Sequence, residues 1–391
     1  MGAQPLKTNK VINLFSSLKA TAITSIRIAI LGTRGIPNRY GGFEQAATYI
    51  ASGLVEKGHE LTVYNSHQHP YKNNNWKGVN IIHCYDPGWM GSAGQFVYDL
   101  NCIRDAKKKK FDVWIFFGYT SSSIWWRLYP GKTVLISNMD GLEWKRSKYN
   151  AAARKFLLYA EKLAVRYSHH LIADSTAIQF YLFEKYKVQS NYIAYGAETI
   201  QEEDGSVFSE YAIQKHEYYL ILARMEPENN IETILDGFCK SNASKKMIVI
   251  GNIDTKFGKY LLEKFKTDKR ILFIPSLYDA PKLHTFKLYC SLYFHGHSCG
   301  GTNPSLLEAM ADGAVICAHD NLFNRAILGE DAFYFSSADD IAARINLVRD
   351  SSVDKNMILH NREKIEQKYN WPMIVSAYEK LVRSCYNSFV K

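Results

Sequence analysis

A segment rich in glycine and arginine near the N-terminus is the first group of residues that suggests chemistry. From Gly32 it reads Gly-Thr-Arg-Gly-Ile-Pro-Asn-Arg-Tyr-Gly-Gly-Phe-Glu, between an apolar strand pattern and a helical one. The N–H groups and positive dipole end of such a helix favour an anion, and Gly41 and Gly42 allow close approach to the backbone. Arg34 and Arg39 add charge that suits phosphate oxygens. The glycine spacing differs from the dinucleotide fingerprint. The segment predicts a phosphate-bearing ligand, with a purely structural turn as the alternative.

A second segment begins at Gly300 and reads Gly-Gly-Thr-Asn-Pro-Ser-Leu-Leu-Glu-Ala-Met. Thr302 or Asn303 fits the N-cap of a helix, and the proline fits its first position. We expect the N–H groups of Gly301, Thr302 and Asn303 to be free and to form an anion site. The carboxylate of Glu308 repels a diphosphate but suits ribose or sugar hydroxyls; the alternative is a solvated glutamate near the helix start.

Two further segments carry weaker signals. Arg224 follows a strand pattern and can pair with a diphosphate, although a surface salt bridge is equally compatible. Asp140 also follows a strand pattern, and Trp144, Lys145 and Arg146 come after it. This combination resembles a sugar-phosphate site in which Asp140 is a base, an electrostatic stabiliser or a hydroxyl ligand.

Strand and helix patterns alternate along the 391 residues, which predicts an α/β protein with parallel sheets covered by helices. Strands are expected at 26–31, 61–64, 79–83, 113–117, 133–137, 171–173 and 191–193, and again at 218–222, 247–250, 271–274 and 292–294. An acidic stretch at 198–216 is interpreted as a linker. The predicted organisation is an extension at 1–24, one domain at 25–205, another at 206–370 and a last helix at 371–391. Since open α/β sheets bind ligands at the C-terminal ends of their strands, the site is expected in the cleft between the domains.

The amino-acid composition excludes several classes of protein. With 47% hydrophobic and 22% charged residues the chain is neither disordered nor fibrous. No apolar run reaches the roughly 18–20 residues of a membrane span. Seven cysteines without a C-x-x-C pair argue against a disulfide framework or a zinc site and favour the cytoplasm.

The formal charge of +10 permits anionic partners. The run Lys107 to Lys110 is interpreted as a solvated helix end, and without a recognisable motif no nucleic acid is expected. Val11, Leu14 and Phe15 share a helical face among lysines, which predicts either an amphipathic surface helix or a frayed extension.

The blocks TRGIPxxYGGFE, MDGLEWKR and GGTNPSLLEAM together resemble glycosyltransferase family 4, and within it a bacterial branch with L-rhamnosyltransferases of cell-wall and capsular polysaccharide synthesis. The resemblance extends from about Ile26 to the last helix. It implies the GT-B fold, in which two Rossmann-like domains face each other and the last helix crosses back to the first. Trp371, Ile374, Tyr378 and Leu381 lie on one face, as that helix requires.

The resemblance also implies roles for the donor site. Glu308 corresponds to the second glutamate of the family's E-x7-E motif and contacts the ribose. Arg224 holds the diphosphate, while Gly41 and Gly42 border the donor and acceptor sites. Asp140, Glu308 and Arg224 are the expected catalytic residues.

Three positions depart from the family pattern. Gly300 replaces the first glutamate of E-x7-E, so backbone N–H groups must recognise the donor sugar there. Asn229 replaces a lysine at the diphosphate site, and Asp140 stands where related members carry histidine.

The N-terminal domain is expected to bind the acceptor, a saccharide linked to polyprenyl diphosphate. The expected acceptor residues are Arg34, Arg39, Tyr40, Trp144, Lys145 and Arg146. Trp125, Trp126 and Arg127 would serve the same purpose, although aromatic residues of this kind are packing residues by default.

The predicted function is transfer of L-rhamnose from dTDP-L-rhamnose, with no cofactor. The resemblance implies that the transfer retains the anomeric configuration, uses no metal, and lets the leaving diphosphate help to remove the acceptor proton. The predicted location is the cytoplasm, with peripheral contact at the inner face of the membrane. The alternatives are a UDP-hexose donor, a GT-B sugar-nucleotide epimerase, and a non-catalytic module that binds membranes or nucleic acid.

Overall fold

The structure is a computed structural model that describes residues 24–39, 41–146, 149–347 and 351–390. An eight-stranded sheet forms the core of the N-terminal domain, in the order β3-β4-β2-β1-β5-β6-β7-β8. All neighbouring strands are parallel except β3 and β4. The strands are β1 Arg27–Leu31, β2 Glu60–Ser66, β3 Asn75–Trp76, β4 Val79–Cys84, β5 Val113–Phe117, β6 Val134–Asn138, β7 His170–Ala173 and β8 Asn191–Tyr192.

Helices cover this sheet because each has an apolar stripe. In the first of them Ala47, Ile50 and Leu54 are buried, and the chain leaves the helix through Gly58, whose φ of 88° favours glycine. The helices are α1 Gly42–Glu56, α2 Gly94–Lys109, α3 Ala151–Tyr167 and α4 Thr176–Tyr186, with 3-10 segments at Gly88–Ala93, Ser123–Leu128 and Glu143–Lys145.

A six-stranded parallel sheet forms the core of the C-terminal domain, in the order β11-β10-β9-β12-β13-β14. Its strands are β9 Tyr218–Leu222, β10 Lys246–Ile250, β11 Ile271–Ile274, β12 Leu292–His295, β13 Ile316–His319 and β14 Phe333–Phe335. The helices are α5 Ser206–Glu210, α6 Ile231–Lys240, α7 Lys256–Phe265, α8 Ala280–Tyr289, α9 Pro304–Ala311, α10 Leu322–Leu328, α11 Ala338–Asn346 and α12 Ser351–Lys368, with a 3-10 segment at Pro227–Asn229.

The strand order reverses once in each sheet, between β1 and β5 and between β9 and β12. Loops that leave the strands at such a point diverge and open a crevice for a ligand. This arrangement confirms the predicted pair of Rossmann-like α/β domains.

The last helix, α13 Trp371–Val390, packs on the N-terminal domain. The indole of Trp371 stacks on Tyr49 of α1 at 4.4 Å between ring centroids, and the hydroxyl of Tyr378 accepts a 3.2 Å hydrogen bond from Asn138. Val375 packs against Gly53, where a Cβ would lie 2.7 Å from a valine methyl. The helix therefore crosses back as predicted. Leu381, expected on its inner face, is only half-buried.

Two local predictions were wrong or incomplete. The acidic stretch after β8 is not irregular throughout, because α5 forms within it and buries Val207. Strand β3 was not predicted; it is two residues long. The expected helix around Val11 to Phe15, and Tyr40, lie outside the described residues. All seven cysteines are free thiols. In the described part of the chain, no helix is both long and apolar enough to cross a bilayer.

Candidate active site between the two domains

Loops from the two domains approach each other closely across the cleft. A Cβ added to Gly42, at the start of α1, would lie 3.1 Å from Cγ of Pro304, at the start of α9. After β6, a Cβ on Gly141 would lie 2.5 Å from Cα of Gly300, whose own φ of 133° favours glycine. The structure therefore brings together the segments that the sequence singled out separately.

Asp174, directly after β7, contacts the start of α9 from the opposite domain. Its Oδ2 accepts a 3.1 Å hydrogen bond from the N–H of Thr302, and its main-chain oxygen accepts one from the Thr302 hydroxyl. A side chain on Gly301 would overlap the carboxyl group of Asp174. Asn303 caps α9 as expected, since its side chain accepts a hydrogen bond from Ser305 N–H. The expectation that the N–H of Thr302 is free for an anion is therefore wrong.

A pair of carboxyl groups lies at this contact. Asp140 adopts a left-handed conformation (φ 51°), and its N–H donates to Oδ1 of Asn138. Burial raises the pKa of Asp140 to about 6, Glu143 raises it as well, and Arg146 opposes the rise. Burial also raises the pKa of Asp174 well above its ordinary value, and Asp140 adds to the effect. Perturbed carboxyl groups in a cleft are typical of functional sites.

The residues that follow Asp140 are paired within the protein. Arg146 forms an ion pair of 2.5 Å with Glu143 and one of 4.0 Å with Glu228 of the C-terminal domain. The ring of Trp144 lies 6.3 Å from that of a tyrosine in α4. Lys145 is exposed, with its Nζ 5.6 Å from the Trp144 ring. Of these predicted acceptor residues, Arg146 spans the cleft and Trp144 packs on the N-terminal domain.

Arg224 lies exposed just after β9. The side-chain amide of Asn229 donates a 2.8 Å hydrogen bond to the main-chain oxygen of Arg224 and so fixes the loop that carries Arg224. The nearby His297 stacks on His295 at 4.4 Å. Burial lowers the pKa of His297 well below its ordinary value, and the charges of His295, Arg224 and Arg146 lower it further. The Arg224 charge thus acts on His297 and on the carboxyl group of Asp140, and within the described ranges no carboxylate forms an ion pair with Arg224.

Both carboxylate oxygens of Glu308 have partners. Its Oε1 accepts a 3.0 Å hydrogen bond from the side-chain amide of Gln45 in α1, across the cleft. Its Oε2 lies 3.3 Å from Nζ of Lys287 in α8. Glu308 is therefore not the freely solvated glutamate of the alternative interpretation.

The two arginines of the first glycine-rich segment have different surroundings. The N–H of Arg34 donates to Oε1 of Glu44 at 2.8 Å, and its guanidinium donates to Oδ2 of Asp86 at 3.2 Å. Arg39 is exposed. Arg34 is thus held by carboxylates of its own domain, whereas Arg39 faces solvent.

The aromatic segment near α3 is a packing element. The indole N–H of Trp125 donates to the main-chain oxygen of Phe96, and Trp126 stacks on Tyr167 at 3.8 Å between centroids. The guanidinium of Arg127 lies 4.7 Å from the Trp126 ring. The lysine run ends α2, as interpreted from the sequence.

Sequence reasoning missed four residues of this site: Asp174, Gln45, Lys287 and His297. Asp174 carried a usable signal, because it directly follows the strand predicted at 171–173, and ligands bind at the C-terminal ends of such strands. Gln45 and Lys287 carried none, since only the three-dimensional packing brings them to Glu308.

Two family models match the chain. Residues 26–198 match a domain of unknown function (DUF1972), and residues 206–365 match glycosyl transferases group 1. No curated protein is similar enough in sequence to match.

Several solved structures share the fold. Sucrose-phosphate synthase from Thermosynechococcus elongatus superposes with a TM-score of 0.79 at 15% identity, over 92% of this chain and 99% of that chain. HepE from Anabaena in complex with UDP superposes with a TM-score of 0.71 at 12% identity, over 92% of this chain and 100% of that chain. A glycosyltransferase from Rickettsia africae superposes with a TM-score of 0.68 at 12% identity, over 92% of this chain and 98% of that chain. The fold is therefore GT-B, as predicted, and the match of residues 206–365 supports a glycosyltransferase family. The rhamnosyltransferase branch stays a prediction.

Proposed function

We propose that this chain is a retaining, metal-independent glycosyltransferase that moves L-rhamnose from dTDP-L-rhamnose to a saccharide linked to polyprenyl diphosphate, in bacterial surface polysaccharide synthesis. One observation carries the proposal: where the two domains meet, Asp140 and Asp174 lie beside Arg224 and beside the start of α9, the helix that carries Glu308. The group 1 match of the C-terminal domain supports the reaction class.

The donor fits the C-terminal side of the cleft. Arg224 is an exposed cation that forms no ion pair with a carboxylate among the described residues, and an arginine can bind two phosphate oxygens at once. Glu308 would accept hydrogen bonds from the ribose, because a carboxylate has lone pairs beyond those used by Gln45 and Lys287. The N–H groups at Gly300 and Gly301 would recognise the sugar.

In the proposed transfer, one bond breaks and one forms at the anomeric carbon. The bond between the anomeric carbon and the diphosphate oxygen breaks, and an acceptor hydroxyl forms the new bond on the same face. The departing diphosphate takes the hydroxyl proton, and Arg224 stabilises the charge that develops on it. Asp140 would orient the hydroxyl or stabilise positive charge at the anomeric carbon.

The acceptor would bind the N-terminal domain, near the exposed Arg39 and Lys145. A lipid-linked acceptor would require peripheral contact of this domain with the inner face of the cytoplasmic membrane. The surplus of basic residues favours such contact with anionic lipid.

A UDP-hexose donor is the second candidate, because HepE structures contain UDP and UDP-glucose in this fold. The test is to incubate the purified protein with dTDP-L-rhamnose or UDP-glucose, with and without lipid-linked saccharide. Release of dTDP only when acceptor is present supports the proposal, whereas release of UDP supports the second candidate. Isomerisation of the donor without acceptor would indicate an epimerase, and salt-sensitive membrane or nucleic-acid binding without nucleotide affinity would indicate a binding module.

A further inference from the structure

A buried lysine lies directly behind the carboxylate of Glu308. Lys287, in α8, is only 1% exposed. Its Nζ is 2.7 Å from Oδ2 of Asp312 and 3.3 Å from Oε2 of Glu308. A buried ammonium group is costly unless it is paired, so these two contacts account for its presence in the interior.

The two carboxylates that Lys287 bridges are one helical turn apart. Glu308 lies in α9 and Asp312 caps the end of that helix, so both point to one side of it. Asp312 is itself held by His284, whose Nδ1 is 2.7 Å from Oδ1. His284 precedes Lys287 by three residues in α8, and both are therefore on one face of that helix. Two residues of α8 thus clamp two residues of α9.

This clamp holds one oxygen of the Glu308 carboxylate, while Gln45 holds the other. Its side chain is 29% exposed, whereas those of Lys287 and Asp312 are 2% and 1% exposed. Glu308 is therefore the only member of the trio that faces the cleft. Burial acts against the charged lysine, but Glu308 and Asp312 outweigh it and raise the pKa of Lys287, so the ammonium keeps its charge.

We propose that Lys287 is a positioning residue that aims the Glu308 carboxylate at the ribose hydroxyls of the nucleotide donor, and that Asp312 and His284 hold Lys287 in place. The inference rests on the proposed function, since it presupposes a nucleotide at Glu308. It adds that nucleoside recognition depends on a residue that touches no part of the donor.

The experiment distinguishes binding of the nucleoside from binding of the diphosphate. Lys287→Met combined with Asp312→Asn removes the buried ion pair and leaves the partly exposed Glu308 carboxylate with Gln45 as its remaining partner. Calorimetry then measures the Kd of dTDP and of inorganic pyrophosphate. We expect about tenfold weaker dTDP binding and unchanged pyrophosphate binding, because Glu308 contacts only the ribose. Lys264→Met is the matched control, because Lys264 also bridges two carboxylates, at 2.7 and 2.8 Å, but does so on the surface of α7. If this double variant does not fold, Lys287→Gln combined with Asp312→Asn makes the same comparison, because two amide side chains can hydrogen-bond to each other without a buried charge.

A Glu308→Gln background decides whether Lys287 acts through Glu308. There, the Lys287→Met and Asp312→Asn changes should cause no further loss of dTDP affinity. Equal losses for dTDP and pyrophosphate, or a full additional loss in the Glu308→Gln background, would overturn the inference. If Glu308→Gln weakens dTDP binding and the Lys287 variants do not, the inference alone fails. If the wild-type protein binds no nucleoside diphosphate, the proposed function fails and the inference with it.

Discussion

The side-chain amide of Gln45 donates a 3.0 Å hydrogen bond to Oε1 of Glu308, and the two residues belong to different domains. The contact joins the first helix of the N-terminal domain to the helix that follows the glycine-rich segment of the C-terminal domain. It therefore forms only when the domains lie close together. The orientation of Glu308 depends on closure as well as on Lys287.

Gln45→Ala should raise the KM for the donor about two- to tenfold, since one hydrogen bond contributes roughly 0.5–1.5 kcal/mol. The thermal unfolding midpoint should change little, because Gln45 lies at the cleft. Gln45→Glu places two carboxylates together and should raise KM more than Gln45→Ala does. Steady-state kinetics with varied donor checks both, and a KM order opposite to this one would contradict the role of the contact.

Glu308→Gln and Arg224→Ala should each lower kcat/KM about ten- to a hundredfold, because each removes a contact with a charged group worth roughly 1.5–3 kcal/mol. Circular dichroism should show an intact fold. Arg325→Ala is the control, since Arg325 pairs with Asp320 on the surface of the same domain. Wild-type kcat/KM in both site variants would reject the assigned donor site.

Much of the fold could be predicted because buried parallel strands are continuous apolar runs. The run at Val113–Phe117, for example, is entirely buried in the structure. The turn chemistry was equally readable: Asn303 and Pro304 predicted the start of α9 at the residue where it begins. Such local signals do not depend on the rest of the chain.

The site was predicted less completely because its contacts join distant parts of the sequence. Asp174 and Thr302 are 128 residues apart, and nothing local to Thr302 indicates that its N–H is already bound. Likewise Arg34 looked available for phosphate, but Asp86 pairs with it through the loop after β4. Pairing between segments removes charges that a linear pattern presents as free.

Gly301→Ala should separate the domains rather than unfold them. A methyl group there would overlap the carboxyl group of Asp174, so the start of α9 could no longer reach β7. We expect kcat/KM to fall at least about tenfold, since a small misplacement of reacting groups is sufficient for such a loss. Small-angle scattering should show a larger radius of gyration. Gly131→Ala, at a position with open space around its Cα, is the control. An unchanged radius with full activity would show that the contact is dispensable.

Activity should fall in acid as Asp140 takes up a proton. The pKa of Asp140 is raised to about 6 by burial and by Glu143, so kcat/KM should decrease about tenfold per pH unit below that value. Asp140→Asn should abolish this decrease, the acid limb of the pH–rate profile, and should lower kcat/KM at pH 8. Glu143→Gln should move the limb to lower pH, because one charge that raises the Asp140 pKa is lost. A limb that stays in place in both variants would assign the titration to another group.

Asp174→Asn should stabilise the protein at alkaline pH. Burial raises the pKa of Asp174 above its unfolded value, so the native state binds this proton more tightly than the unfolded state does. Stability then falls as pH rises above the unfolded pKa of about 3.9 and the native carboxyl group is forced to ionise. Asparagine can still accept the hydrogen bond from Thr302 N–H and carries no charge.

The thermal unfolding midpoint of Asp174→Asn should exceed that of the wild type at pH 8, and the difference should shrink towards pH 4. Asp254→Asn, at an exposed site, should follow the wild type throughout. A midpoint for Asp174→Asn below that of the wild type at pH 8 would mean that the ionised carboxylate itself holds the domains together.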